Sequence, residues 1–163
     1  MNYIYIGKIV NTHGIKGEIR IISDFKYKEK VFKNNMIIYI GEEKHKEIIN
    51  TYRVHKNFDM VTMYGYDNIN QILKYKGKSV YILRNDLVLA EDEYLDSDII
   101  NFKVIINNKN IGKVKNIERY STNSLIVVNN GVKDFLIPFV SDIIKLDLKK
   151  REIIVKDIKG LVE

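Results

Sequence analysis

The sequence predicts an all-β, mainly antiparallel chain of two small β-barrels, on three observations. Short alternating apolar runs recur along most of its 163 residues, Gly- and Asn-rich turns separate them, and a single acidic stretch without a basic residue interrupts them. Period-two alternation marks half-buried strands. Many short strands punctuated by turns suit closed barrels, because closure removes exposed edges. The length fits one large or two small domains. The acidic interruption places an N-terminal barrel at 1–85, a linker at 86–100 and a C-terminal barrel at 101–163.

The opening stretch, Ile4 to Ile22, reads as two strands about a Gly-rich corner. Ile4, Ile6, Lys8 and Val10 alternate with Tyr3, Tyr5, Gly7 and Ile9; Glu18 and Arg20 then share one face and Ile19 and Ile21 the other. Thr12 to Gly17 has two glycines within four residues, which bends the corner sharply. Gly7 inside the first strand signals a bulge or a close backbone approach. Ser23 to Asn35 is charged and broken, with room for one helical turn. Met36 to Ile40, Glu47 to His55 and Met60 to Tyr64 follow as strands. Asn68 as N-cap, Gln71 as capping-box partner, and Ile69, Ile72 and Leu73 on one face predict a two-turn helix ending before Gly77. Ser79 to Leu83 completes about six strands with one helix, the inventory of a small barrel whose helix plugs an end.

Asp86 to Ile100 carries six acidic residues and no alternation. Its carboxylates are adjacent in sequence and splay apart, so they read as a solvated linker rather than a metal or acid–base site. Tyr94 and Leu95 are apolar bodies in that tether and need a surface to bury against. The second unit reads as short antiparallel strands at Phe102 to Ile106, Ile111 to Arg119, Leu125 to Val128, Asp134 to Ile137, and a last hairpin of Ile143 to Leu148 with Glu152 to Lys156. Asn129-Asn130-Gly131 is the strongest turn, since Asn and Gly tolerate the positive φ of type I′ geometry. Pro138 lacks a backbone donor and stops its strand. Gly160-Leu161-Val162 ends the chain.

The absence of cysteine excludes disulfides, thiolate catalysis and cysteine metal sites, and fits a reducing compartment, so a cytoplasmic location is expected. No apolar run reaches the length of a membrane span, and the N-terminus enters a strand directly rather than a leader. The net charge of +6 is distributed as +7 over residues 1–84, −6 over 85–102 and +5 over 103–163. Two basic segments flanking an acidic one fit two units facing a polyanion, since neutralised phosphates release counterions. A lysine-rich composition bias gives the same totals.

His13, His45 and His55 are dispersed, with no helical i, i+4 pair, so no metal or cofactor site is expected. No serine or threonine stands in a nucleophile elbow, and Gly14-Ile15-Lys16-Gly17 joins strand to strand without the helix a phosphate loop needs. The chain therefore reads as a non-enzyme. His13, Lys16 and Arg20 form either a cationic, hydrogen-bonding tip on a rigid barrel or a merely solvated turn.

Ile6-Gly7-Lys8-Ile9-Val10 followed by Thr12-His13-Gly14-Ile15-Lys16-Gly17-Glu18-Ile19 resembles the signature GxIxxxHGhxGExxV (h apolar) of the RimM family of ribosome maturation factors. The likeness continues through the helix ending in Gly77, Glu93-Tyr94 with Asp98-Ile99-Ile100, Ile111-Gly112-Lys113-Val114, Leu136-Ile137-Pro138-Phe139 and Gly160-Leu161. Where the family usually has Tyr-Tyr and Asp-Leu-Ile-Gly, this chain has Tyr94-Leu95 and Asp98-Ile99-Ile100-Asn101. The resemblance implies a translation-factor-like barrel and a PRC barrel. It also implies a non-enzymatic role in 30S maturation and 16S rRNA processing, exercised on the immature 30S particle through a ribosomal protein of the small-subunit head; the chain is expected to act as a monomer. It places the protein partner on the C-terminal half, with Tyr94, Leu95, Lys113, Arg119 and Tyr120 as contact candidates, and leaves His13, Lys16 and Arg20 as candidates for the RNA or ribosome. An RNA-binding or protein-interaction adaptor acting off the ribosome is the alternative.

Overall fold

The computed structural model describes residues 1–156, which divide between two compact units, one of residues 1–88 and one from Leu89 onward. The first contains β1 (Tyr3–His13), β2 (Glu18–Ile22), the single helical turn α1 (Lys28–Val31), β3 (Ile37–Ile40), β4 (His45–His55), β5 (Phe58–Met63), α2 (Ile69–Ile72) and β6 (Ser79–Leu83). Its strands close into a barrel in the order β1-β2-β5-β4-β3-β6, every neighbouring pair antiparallel.

A bulge in β1 sets which side chains fill this barrel. The register against β6 slips between Tyr5 and Gly7, so Ile6 and Ile9, of opposite parity in sequence, both become buried. A Cβ on Gly7 would lie 2.8 Å from Cγ2 of Ile21 and 2.9 Å from the Ile22 carbonyl oxygen, so the close approach and the bulge occur together. Ile19, Ile21, Ile38, Ile40, Met60 and Met63 complete the interior, while Glu18 and Arg20 stay on the outer face of β2. Asp59 is the buried charge of this unit: Tyr52 donates its hydroxyl to it at 2.5 Å and the Lys28 ammonium lies 2.9 Å away.

The capping box of α2 forms as its sequence predicts. Asn68 Oδ1 accepts from the amides of Asn70 and Gln71, and Gln71 Oε1 accepts from the Asn68 amide. Ile72 is fully buried and the Ile69 amide donates to the Ile15 carbonyl at 3.1 Å, which seats α2 against the β1–β2 loop. Beyond it Tyr66 and Tyr75 both donate to Oε2 of Glu47; burial first, then the hydrogen bonds of Tyr75 with Glu47 and with the Tyr66 hydroxyl, raises the pKa of Tyr75.

The second unit contains β7 (Lys103–Ile106), β8 (Lys109–Arg119), β9 (Ser124–Asn129), β10 (Asp134–Pro138), β11 (Ile144–Asp147) and β12 (Glu152–Val155). These form one sheet in the order β10-β9-β8-β7-β12-β11. All six strands contribute to one core, including Val104, Val114, Ile126, Ile137, Ile144 and Ile153. The pairing corrects the expectation of wholly antiparallel strands. There are six, and β12 pairs with β7 in parallel, Ile153 opposite Val104. The β11–β12 hairpin returns the chain to the first strand of its own unit, a closure that local turn signals do not encode. Residues 130–133 turn β9 into β10 with Gly131 at a φ of 95° and Asn130 outside the positive-φ region, so the hairpin forms where its sequence predicts but not with the type I′ turn; β10 ends at Pro138.

The acidic stretch is more ordered than a solvated tether. Leu87 is buried in the first unit, while in the second Ile99 joins the core and Tyr94 packs against it. Several of its carboxylates are engaged: Glu93 accepts from the Ala90 amide, Asp98 from the Leu95 amide, and Glu91 pairs with Lys149 at 3.1 Å. The Gly160-Leu161-Val162 segment lies outside the described residues. Among those residues no helix is long and apolar enough to cross a membrane.

Candidate functional site

The β1–β2 corner is held from both sides. Gly14 and Gly17 take φ of 70° and 88°, and a Cβ on Gly17 would stand 3.1 Å from the Asn68 carbonyl oxygen, so only glycine lets the loop lie on the start of α2. Lys16 and Ile15 project from this loop, Ile15 being 80% exposed.

Beside the loop, the β1-β2-β5-β4 order gathers side chains distant in sequence. Arg20 Nη2 donates to His13 Nδ1 at 2.8 Å, and the Arg20 guanidinium lies 4.8 Å from the centroid of the Phe58 ring. The His13 and His55 rings are 5.5 Å apart, which corrects the reading of the three histidines as dispersed. Arg53 forks onto Glu18 at 2.9 and 2.7 Å. That hydrogen-bonded fork holds the Glu18 carboxyl below its ordinary range against the opposing pull of burial. At His55, desolvation and then the surrounding charges of Arg53, His13, Lys56 and Arg20 push the imidazole pKa down. The face thus carries two imidazoles and three basic side chains, Arg20, Arg53 and Lys56, with Glu18 as the carboxylate among them. Of the sequence candidates, His13 and Arg20 are brought together, while Lys16 stands exposed in the adjoining loop. His55, Arg53 and Phe58 were missed, although Arg53 and His55, two apart at the end of a strand, already share a face in sequence.

In the second unit the candidates divide. Arg119 at the end of β8 donates through Nε and Nη2 to Asp96 at 2.9 and 2.6 Å, hydrogen-bonds Tyr94, and covers the Phe139 ring at 4.8 Å. The Asp96 bond is the main reason its pKa is raised. Tyr94 is half-buried against the core and borders a groove of ≈ 350 Å³ that also involves Glu91, Leu146 and Lys149. Leu95 is half-buried next to it. Tyr120 is exposed and donates to Glu118 at 2.6 Å. Lys113 stands apart: opposite Asn129 rather than Ser124, it lies six residues up β8 from Arg119, about 20 Å at the rise of a strand. It lines a different groove, of ≈ 960 Å³, with Asn110, Lys115 and Asn130. Asp96 and Phe139, which fix Arg119, were not read as site residues because pairing across 23 positions leaves no local pattern.

Comparison with known proteins matches residues 4–87 to the RimM N-terminal domain and residues 96–161 to the RimM PRC barrel domain. A ribosome maturation factor RimM of Staphylococcus haemolyticus is 38% identical over 98% of this chain and 99% of its own length. One of an Exiguobacterium species is 34% identical over 100% and 98%. Among solved structures, a 16S ribosomal RNA processing protein RimM of Pseudomonas aeruginosa aligns over 96% of this chain and 98% of its own at 20% identity, with a TM-score of 0.44, too low to add to the argument. Two domain matches in order and full-length relatives above 30% identity carry the assignment: the chain belongs to the RimM family.

Proposed function

We propose that this chain is a non-enzymatic ribosome assembly factor, acting as a cytoplasmic monomer, that binds a ribosomal protein of the 30S head and assists 16S rRNA processing there. The observation that carries the reading is the full-length match, both domains in order, to relatives named ribosome maturation factors. The two faces support a division of labour. The cationic face of the first unit, with His13, Lys16 and Arg20, suits the phosphate-rich particle, because such contacts supply sequence-independent affinity. The Tyr94–Arg119–Phe139 group suits a protein, since tyrosine and arginine anchor interfaces.

The purified chain should co-sediment with immature 30S particles, and cells depleted of it should accumulate unprocessed 16S rRNA. Co-sedimentation with other complexes instead would favour an adaptor acting off the ribosome. Turnover of precursor rRNA by the protein alone would overturn the non-enzymatic reading.

A further inference from the structure

The paired imidazoles of His13 and His55 are not explained by cationic attraction alone. Arg20 is permanently protonated, so in its contact with His13 the guanidinium N–H donates and Nδ1 must accept. In this contact His13 presents Nδ1 as the acceptor. A protonated His13 has no lone pair at Nδ1, so the contact must open, leaving two donors and two positive charges side by side. His55, whose ring lies 5.5 Å from that of His13, would then face a second cation at close range. An anion seated among the three groups removes the conflict, accepting from each and cancelling the repulsion.

We propose that His13, His55 and Arg20 form a phosphodiester-binding site for RNA whose occupancy is coupled to proton uptake by the histidine pair. The inference deepens, and rests on, the assignment of this face to RNA. The charged groups around the pair come from each packed element. β1 contributes His13 and β2 Glu18 and Arg20; β4 contributes Arg53 and His55, and the turn after it Lys56. Glu18, the carboxylate among them, is occupied by the fork of Arg53. It is therefore a counter-charge that the two histidines share with Arg53, and a phosphate supplies a further one. The depressed basicity of His55 in the free protein agrees with an incomplete site, because its causes are desolvation and neighbouring positive charge. Histidine is the side chain that changes charge between about pH 5 and 8, so the coupling falls in that window.

The test uses the full-length protein and a fluorescein-free, end-labelled oligouridylate, whose bases do not titrate in the window, in anisotropy titrations at fixed ionic strength from about pH 5.5 to 8. If binding raises one imidazole pKa by one unit, affinity falls about ten-fold across the titration. His13→Gln and His55→Gln should each lose most of this dependence. His45→Gln should keep it, since His45 pairs with Glu43 instead. His55→Lys, which supplies a fixed charge, should retain affinity at pH 8 and lose the slope. Far-UV circular dichroism and melting check that each variant is folded. The same pH profile in wild type and in the His13→Gln/His55→Gln double variant overturns the proton coupling. If Lys16→Ala still weakens binding in that case, the RNA assignment of the face survives. If oligouridylate fails to bind at any pH or salt concentration, both are overturned.

Discussion

Arg119 meets Asp96 through two parallel hydrogen bonds, Nε to Oδ2 at 2.9 Å and Nη2 to Oδ1 at 2.6 Å, and so ties the end of β8 to the acidic segment beside Tyr94. With the two side chains 50% and 42% exposed, water screens the pair. Its contribution to stability is therefore about 0.5 kcal/mol, and its larger effect is to fix where Tyr94 stands. Tyr94→Ala should weaken binding to the isolated head protein by about 1 to 3 kcal/mol. Arg119→Lys, which keeps the charge but loses the fork, should give part of that loss. Calorimetric titration on the folded fraction, run beside thermal melts, checks both. A lower melting temperature with unchanged binding would return Tyr94 to pinning its own segment.

Asp59 should be the most sensitive charged residue of the first unit. It is 2% exposed and engaged by Tyr52 and Lys28. Lys28→Ala leaves a buried carboxylate without its counter-charge, and breaking a buried pair in this way costs about 3 kcal/mol, less here because Lys28 is partly exposed. Urea unfolding measures it, and a loss below about 0.5 kcal/mol, the scale of surface substitutions, would mean that Tyr52 alone satisfies the carboxylate.

The two glycines of the β1–β2 loop should respond differently to alanine. At Gly14 nothing lies within 4 Å of the new Cβ, so only left-handed backbone strain remains, about 1 kcal/mol. At Gly17 the same strain is joined by a 3.1 Å approach to the Asn68 carbonyl, and the cost should rise to about 2 kcal/mol. Equal melting temperatures for the two variants would show that α2 shifts freely away from the loop.

The Glu18–Arg53 fork predicts an acid-side loss of stability. The folded pKa of Glu18 is lowered, so its contribution is fully present above the unfolded carboxyl value, near 4.5, and disappears as pH falls through the lower folded value. Wild type and Glu18→Gln should therefore differ most above about pH 5 and converge towards pH 3 in urea melts. A difference that grows on acidification would contradict the sign.

Features encoded within a few residues were legible in the sequence. The capping box of Asn68 and Gln71, the turn at Asn130-Gly131, the stop at Pro138 and the bulge at Gly7 each follow from the backbone preferences of the residues concerned. The meeting of His13 with His55 was not legible, because it depends on β5 lying between β2 and β4 in the closed barrel. The parallel pairing of β7 with β12 was hidden for the same reason. In the acidic segment composition misled: six carboxylates read as solvated, yet Asp96 and Asp98 spend their oxygens on Arg119 and the Leu95 amide, and Ile99 enters the core.

The parallel β7–β12 pairing also fixes an order of events during synthesis. The first barrel closes when β6 reaches β1, which needs only residues up to Leu83 to have emerged from the exit tunnel. In the second unit β7 lacks one neighbour until Val155 is out, so the strands made between them must wait as an open sheet with an unfilled edge. A nascent chain arrested between these two points would already carry the cationic face and not yet the finished Tyr94 platform. The half proposed to face RNA is therefore complete while the half proposed to face a protein is still being translated.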